Sequence, residues 1–397
     1  MPPFSEKHKR TGATWYGDAS MKVALFSEAS LLSLGGGEQG MILAANYLAR
    51  QGDKVTIFNN TRVLPAKRAS HEDIRQLTTL TVKELGGLPV FGIEQLPLTR
   101  TYLSALISLR GFDVIYSNNT SIFHTSSIRL IAFAYKKRTI FELSDPSLDP
   151  NTMGRASLAE RFVKVARRLS LSRFGVVRVL NSSDLRRYSR KAKHVVLLHP
   201  PGNRQMVGNP RETGVFRVLF AARADPYQKG IDLLRKVVNH TKQSGKTIHF
   251  VILGGGGKGE DAIRDIAREN PDNVEWKGFV SESELLNAFT MAQLFLSTSR
   301  FEAFSSAVLE AQKQGLPVVA FDIPGVAEII MSESQGTLAR PFDTVALSRA
   351  IISYYDSWSS DSVEYLRRRN EIARTADEQF NSNTLLESLR RLLLGRL

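Results

Sequence analysis

Gln293-Leu294-Phe295-Leu296-Ser297, followed by Arg300-Phe301-Glu302-Ala303-Phe304-Ser305-Ser306-Ala307-Val308-Leu309-Glu310, is the stretch around which the rest of the chain falls into place. The apolar run from Gln293 to Ser297 predicts a buried strand. Ser306 to Gln314 reads as a helix that stops at Gly315, and Pro317 opens the next strand. The order is strand, loop, helix N-terminus, with Glu302 in the loop and Glu310 on the helix, eight residues apart. A helix N-terminus leaves backbone N–H groups unpaired and carries a partial positive charge, which suits a phosphate or another anion. Glu302 would repel a phosphate, so its place in the loop suits sugar hydroxyls. Glu310 is placed to accept from hydroxyls on another part of the same ligand.

At 397 residues the chain has room for two domains of ordinary size. Its 42% hydrophobic and 23% charged residues describe a globular protein. The absence of cysteine excludes disulfides, thiolate metal sites and cysteine nucleophiles, and fits a reducing compartment. No run of apolar residues is long enough to span a bilayer. Met1 to Ala19 lacks the apolar segment of a secretory signal, so residues 1–20 are read as a flexible extension. The expected location is cytoplasmic, with contact on the inner face of a membrane.

The net charge of +14 is uneven. Asn151 to Lys193 holds twelve Lys or Arg against two acids, a local +10. Such a field attracts anionic lipid head groups, nucleic acid or an anionic acceptor. Leu158 to Leu171 reads as a basic amphipathic helix. Phe162, Val165, Ala166 and Leu169 share one side, while Arg161, Lys164, Arg167 and Arg168 lie mostly elsewhere. That pattern suits an anionic membrane surface; a core-facing helix with a solvated basic face is the alternative. Nothing resembles a base-stacking motif or a recognition helix, so nucleic acid is not the expected partner.

Met21 to Ser27 and Lys54 to Phe58 read as strands, separated by a glycine-rich loop, Gly35 to Gly40, and an apolar helix, Met41 to Gln51. This βαβ order predicts a parallel sheet. Gly35-x-Gly37-x-x-Gly40 fits the dinucleotide fingerprint only formally, because the second strand ends Phe58-Asn59-Asn60 without the acid that holds a ribose. Further strands are expected at Phe112–Asn119, Arg138–Leu143, Phe174–Leu180 and His194–Leu198. His199-Pro200-Pro201-Gly202-Asn203 reads as a linker. The second half restarts with a strand, Phe216 to Ala222, then Arg223-Ala224-Asp225-Pro226-Tyr227-Gln228-Lys229-Gly230 and a helix. Ile248–Leu253 is a strand running into Gly254-Gly255-Gly256-Gly257-Lys258-Gly259, and Ser281-Glu282-Ser283-Glu284 is a capping box. Helices dominate from Thr344, the last being amphipathic from Thr384 to Leu394.

The Glu302 to Glu310 stretch resembles the Glu-x7-Glu motif of retaining GT-B glycosyltransferases of family four, also called glycosyl transferases group 1. The resemblance continues through Gly315-Leu316-Pro317-Val318-Val319-Ala320 and Pro324-Gly325-Val326-Ala327-Glu328-Ile329-Ile330. Arg223 to Gly230 resembles the family's G-R-x-x-x-x-K-G loop with one extra residue, and Asn273 to Val280 its V-x-F-x-G-x-V strand and loop. The resemblance implies two Rossmann-like domains with parallel sheets facing across a cleft. Residues 21–203 would form the acceptor domain, 204–380 the nucleotide-sugar domain, and 381–397 a helix crossing back. It implies that Arg223 and Lys229 hold the donor diphosphate and that Glu302 serves the sugar in the catalytic centre. Glu310, Phe304, Ser305, Ser306, Phe279, Val280, Gly254, Gly36 and Gly37 would line the donor site. Many relatives carry a His where this chain has Ser144, a departure at a usual sugar contact.

The function so implied is retaining transfer from a UDP- or GDP-sugar to an acceptor hydroxyl on a lipid-linked sugar, a glycan or a small molecule. No Asp-x-Asp exists, so neither a metal nor another cofactor is expected. A non-catalytic sugar- or nucleotide-binding relative, and a nucleotide-sugar epimerase or phosphorylase of the same fold, remain alternatives.

Overall fold

The computed structural model describes residues 20–27, 31, 36–60, 81–85, 88–90, 94–96, 99–118, 122–144, 175–190, 192–202 and 214–397. The basic segment that holds Arg161, Lys164, Arg167 and Arg168 lies outside them, as do residues 1–19.

The first half builds a seven-stranded sheet in the order β3-β2-β1-β6-β7-β8-β9, every pairing parallel. Its strands are β1 (Lys22–Phe26), β2 (Lys54–Asn60), β3 (Thr81–Leu85), β6 (Val114–Ser117), β7 (Arg138–Leu143), β8 (Val176–Val179) and β9 (Val195–Leu197). A small antiparallel pair, β4 (Leu88–Val90) and β5 (Glu94–Leu96), stands beside it. Helices α1 (Gly36–Arg50), α2 (Arg100–Ser108), α3 (Ile122–Ala134) and α4 (Ser182–Tyr188) follow their strands in chain order.

The second half builds a six-stranded parallel sheet, β12-β11-β10-β13-β14-β15. Its strands are β10 (Phe216–Ala221), β11 (Ile248–Leu253), β12 (Val274–Trp276), β13 (Leu294–Ser297), β14 (Val318–Phe321) and β15 (Gly336–Ala339). Its helices are α5 (Ile231–Lys242), α6 (Glu260–Glu269), α7 (Glu282–Met291), α8 (Ser306–Lys313), α9 (Pro324–Ala327), α10 (Thr344–Ser360) and α11 (Ser362–Gln379). The near-continuous apolar runs of β10, β13 and β14 are what a sheet covered on both faces demands. The capping box at Ser281 and Glu284 is present and starts α7.

The chain passes from the first sheet to the second after His199 and returns with α12 (Ser382–Leu394). Leu386, Leu389, Leu392 and Leu393 of α12 are buried in the same apolar cluster as Val23, Leu25, Ala45 and Ile57. Arg390 pairs with the buried Asp53 at 2.9 Å, and Tyr47 donates to Glu387 at 2.8 Å. The last helix is therefore part of the first core.

One sequence expectation is corrected. The glycine stretch is not a loop ahead of the helix: α1 begins at Gly36, so Gly36, Gly37 and Gly40 are its first turns. Glycine costs about 1 kcal/mol against alanine inside a helix, which is why the stretch reads as a loop. The packing of Gly36, below, explains why it stays.

Candidate functional site

β10 and β13 are neighbouring parallel strands, so the loops that leave their carboxyl ends emerge side by side. Thr298 stitches them: its Oγ1 donates to the carbonyls of Lys229 at 2.8 Å and Gly230 at 3.1 Å. Gly230 has φ +64°, and a Cβ there would strike the Thr298 carbonyl, so only glycine fits. Arg300 adds a second tie, its amide donating to the Gln228 carbonyl at 2.8 Å and its guanidinium forming a forked pair with Asp232 at 2.9 and 2.7 Å. The hydrogen bond from Arg300 holds the Asp232 carboxyl below its usual range.

Between these loops Lys229 Nζ meets Glu302 Oε1 at 2.5 Å, and Ser299 Oγ donates to the same oxygen at 2.8 Å. The pair is largely shielded, with side-chain exposures of 16% and 8%. Glu302 is thus already engaged by a cation and a hydroxyl. Arg223 is half-buried on the same loop as Lys229, with Nη2 3.5 Å from Gln228 Oε1. Asp225 tightens that loop by accepting from the amides of Tyr227 and Gln228 at 3.1 and 2.7 Å.

Among the described residues Ser305, which precedes α8, makes no side-chain cap bond, while its own amide donates to the Gly325 carbonyl at 3.1 Å. Gly36, at the start of α1, packs against Ser306, at the start of α8, so tightly that a Cβ on residue 36 would overlap the serine. Two helix N-termini, one from each sheet, therefore meet. Their amides and partial positive charges make this junction suited to an anion. Gly37 is exposed beside it. Glu310 is half-buried on α8.

On the far flank, Gly254 has φ +103° and would clash with the Ala222 carbonyl if it bore a side chain. Its amide donates to the Gly278 carbonyl at 2.7 Å, which fixes the turn that presents Phe279, 43% exposed. Val280 packs against the second core. Ser144 is half-buried at the end of β7.

Phe304, expected at the donor, turns its ring into the crossing between the two halves. It lies 5.5 Å from the His199 ring and 5.7 Å from the Phe380 ring. Around it stand residues that sequence reading did not single out. Asn181 Nδ2 donates to the Ala303 carbonyl at 2.9 Å. Glu328 accepts from the Ser182 amide at 2.7 Å and lies 3.2 Å from His199 Nε2. These contacts join residues 122 to 146 positions apart, and only Glu328 carried a signal, its place in the Pro324–Ile330 pattern. Beneath, buried Arg178 pairs with Glu142 at 2.6 Å and donates to the carbonyls of Leu198 and His199, each at 2.9 Å, fixing where the chain leaves the first sheet. Burial pushes the neighbouring Tyr116 hydroxyl well above its ordinary pKa.

Residues 203–376 match the model of the family "Glycosyl transferases group 1". The chain is 34% identical over 136 residues to the gpi3 subunit of the phosphatidylinositol N-acetylglucosaminyltransferase of Schizosaccharomyces pombe, covering 33% of this chain and 29% of that protein. It is 28% identical over 135 residues to the alpha-D-kanosaminyltransferase of Streptomyces kanamyceticus, covering 34% and 35%. The matched part thus spans about a third of these curated relatives. The structure of Anabaena HepE in complex with UDP and glucose superposes with a TM-score of 0.73 at 18% identity, covering 94% of this chain and 99% of that one. The two Rossmann-like halves share the GT-B fold of that structure, and the part of the chain similar to the glycosyl transferases group 1 model is the second half, residues 203–376.

Proposed function

We propose that the chain moves a sugar from a nucleoside-diphosphate sugar, linked to UDP or GDP, to an acceptor hydroxyl, with retained anomeric configuration and without a bound metal. The observation that carries this reading is the Lys229–Glu302 pair, set on two laced loops just ahead of the junction where α1 and α8 present their N-termini. A leaving diphosphate needs cations and N–H donors, and a sugar needs a carboxylate beside them. The family match and relatives named as glycosyltransferases support the same reading.

In this mechanism Lys229 and Arg223 face the diphosphate, Glu302 exchanges part of its contact with Lys229 for a sugar hydroxyl, and Glu310 accepts from the ribose. The bond from the anomeric carbon to the phosphate oxygen breaks. The acceptor oxygen attacks the same face, and its proton passes to the leaving phosphate. No separate protein base is then required. The basic window from Asn151 to Lys193 supports a phosphate-rich partner, and we place the protein at the inner face of a membrane, with a glycan or lipid-linked acceptor.

A thermal-shift series with UDP-, GDP- and ADP-sugars tests the donor, because a ligand that binds only the folded state raises its apparent stability. A rise with one base, followed by NMR of the product's anomeric centre, is the expected result. No shift with any nucleotide sugar, or an inverted product, would overturn the reading.

A further inference from the structure

All strands of the first sheet are parallel, so their amino ends share one edge of that half, opposite the loops that reach Gly36 and Ser144. This edge is basic. Lys22 and Lys54 begin β1 and β2 in register, Arg138 begins β7, and Lys193-His194 precede β9. Arg110 and Lys136 are exposed on the turns that lead into β6 and β7. Among the described residues two acids sit in this row: Asp53 is buried and held by Arg390 and the Met21 amide, and Asp113 accepts from the Lys22 amide.

Helices α2 and α3 end at the same edge, since each leads directly into a strand start. They touch through Tyr102 and Ser127, at 2.8 Å. Their outer faces expose Leu103 and Ile107 on α2, and Leu130 and Phe133 on α3, the last at 83%. Large apolar side chains grouped like this mark an interaction surface. Arg138, between them and Lys193, donates through Nη2 to the Leu392 carbonyl at 3.0 Å, while its buried Nε has no hydrogen-bond partner among the described residues.

We propose that this edge docks on an anionic lipid bilayer. Phe133, Leu130 and Ile107 enter the interface between head groups and acyl chains, and Lys22, Lys54, Arg110, Lys136 and Lys193 face lipid phosphates. A second copy is disfavoured as occupant, because two such basic edges repel. A nucleic acid would leave the apolar side chains unrewarded. The contact is additional to the basic helix expected at 158–171. It also sets orientation: the cleft opens away from the lipid, toward an acceptor end that stands clear of the surface.

Flotation of the full chain with phosphatidylglycerol vesicles and with phosphatidylcholine vesicles tests this. Binding at least tenfold tighter to the anionic vesicles, weakened by salt, is expected. The triple variant Ile107→Ser/Leu130→Ser/Phe133→Ser and the double variant Lys136→Glu/Lys193→Glu should each lose at least tenfold. Their nucleotide-sugar thermal shift should be unchanged, which separates this test from the donor reading. The proposal is overturned if the wild type ignores anionic vesicles, or if both variants bind them as the wild type does. It is equally overturned if the triple variant converts a dimer to a monomer in light scattering, or if only the Glu replacement of Arg161, Lys164, Arg167 and Arg168 abolishes binding.

Discussion

Gly36 of α1 touches Ser306 of α8 so closely that neither helix start leaves room for a methyl group on residue 36. Among the described residues, nothing lies within 4 Å of where a Cβ on its neighbour Gly37 would stand. The two glycines therefore make opposite predictions. Gly36→Val should wedge the N-termini apart and lower kcat/KM at least tenfold, whereas Gly37→Ala meets no such clash and should slightly raise Tm. Steady-state kinetics and thermal melts on both variants check the pair.

Lys229→Ala should lower kcat by about 10²–10³-fold, the usual loss when one stabiliser of developing charge is removed. It also strands the shielded carboxylate of Glu302, so Lys229→Ala/Glu302→Gln should be more stable than Lys229→Ala while being no more active. Urea melts give the first comparison and product formation the second.

Arg369 is buried and ties three chain segments: its guanidinium donates to the carbonyls of Ala292 at 2.7 Å and of Phe289 and Gln314 at 3.2 Å. Burial pulls its pKa down to about 10. Arg369→Leu leaves three carbonyls without this donor and should cost roughly 3–4 kcal/mol, read as a lower urea midpoint with the m-value unchanged. Because the folded-state pKa lies below the unfolded one, the wild type should gain relative to Arg369→Leu as pH rises through about 10.

On the proposed mechanism, in which Arg223, Lys229 and the helix ends balance the diphosphate charge, EDTA should leave transfer intact. Loss of turnover restored by Mn²⁺ or Mg²⁺ would refute that charge balance.

The strand–loop–helix order around Glu302 was legible because an apolar run, a helix stop at Gly315 and Pro317 are local signals. So was the Ser281 capping box. The glycine run was misread for a physical reason: propensity favours a loop, and the contact that overrides it comes from Ser306, 270 residues away. Asn181 and His199 escaped as site residues for the same cause, since each acts across the crossing between halves, whereas Glu328 was visible only as part of the Pro324–Ile330 pattern. Phe304 shows the converse, a local motif residue whose ring is claimed by distant His199 and Phe380.

The leucines of α12 have a consequence for how the protein is made. During synthesis the first sheet leaves the ribosome long before Leu386 to Leu393, yet those residues complete its apolar cluster. The amino-terminal half must wait, with part of its core uncovered, until the closing helix is translated, while the second half has its own separate core to condense around. A nascent chain stalled before residue 382 should therefore expose the first half to protease or chaperone, and one released after 394 should not.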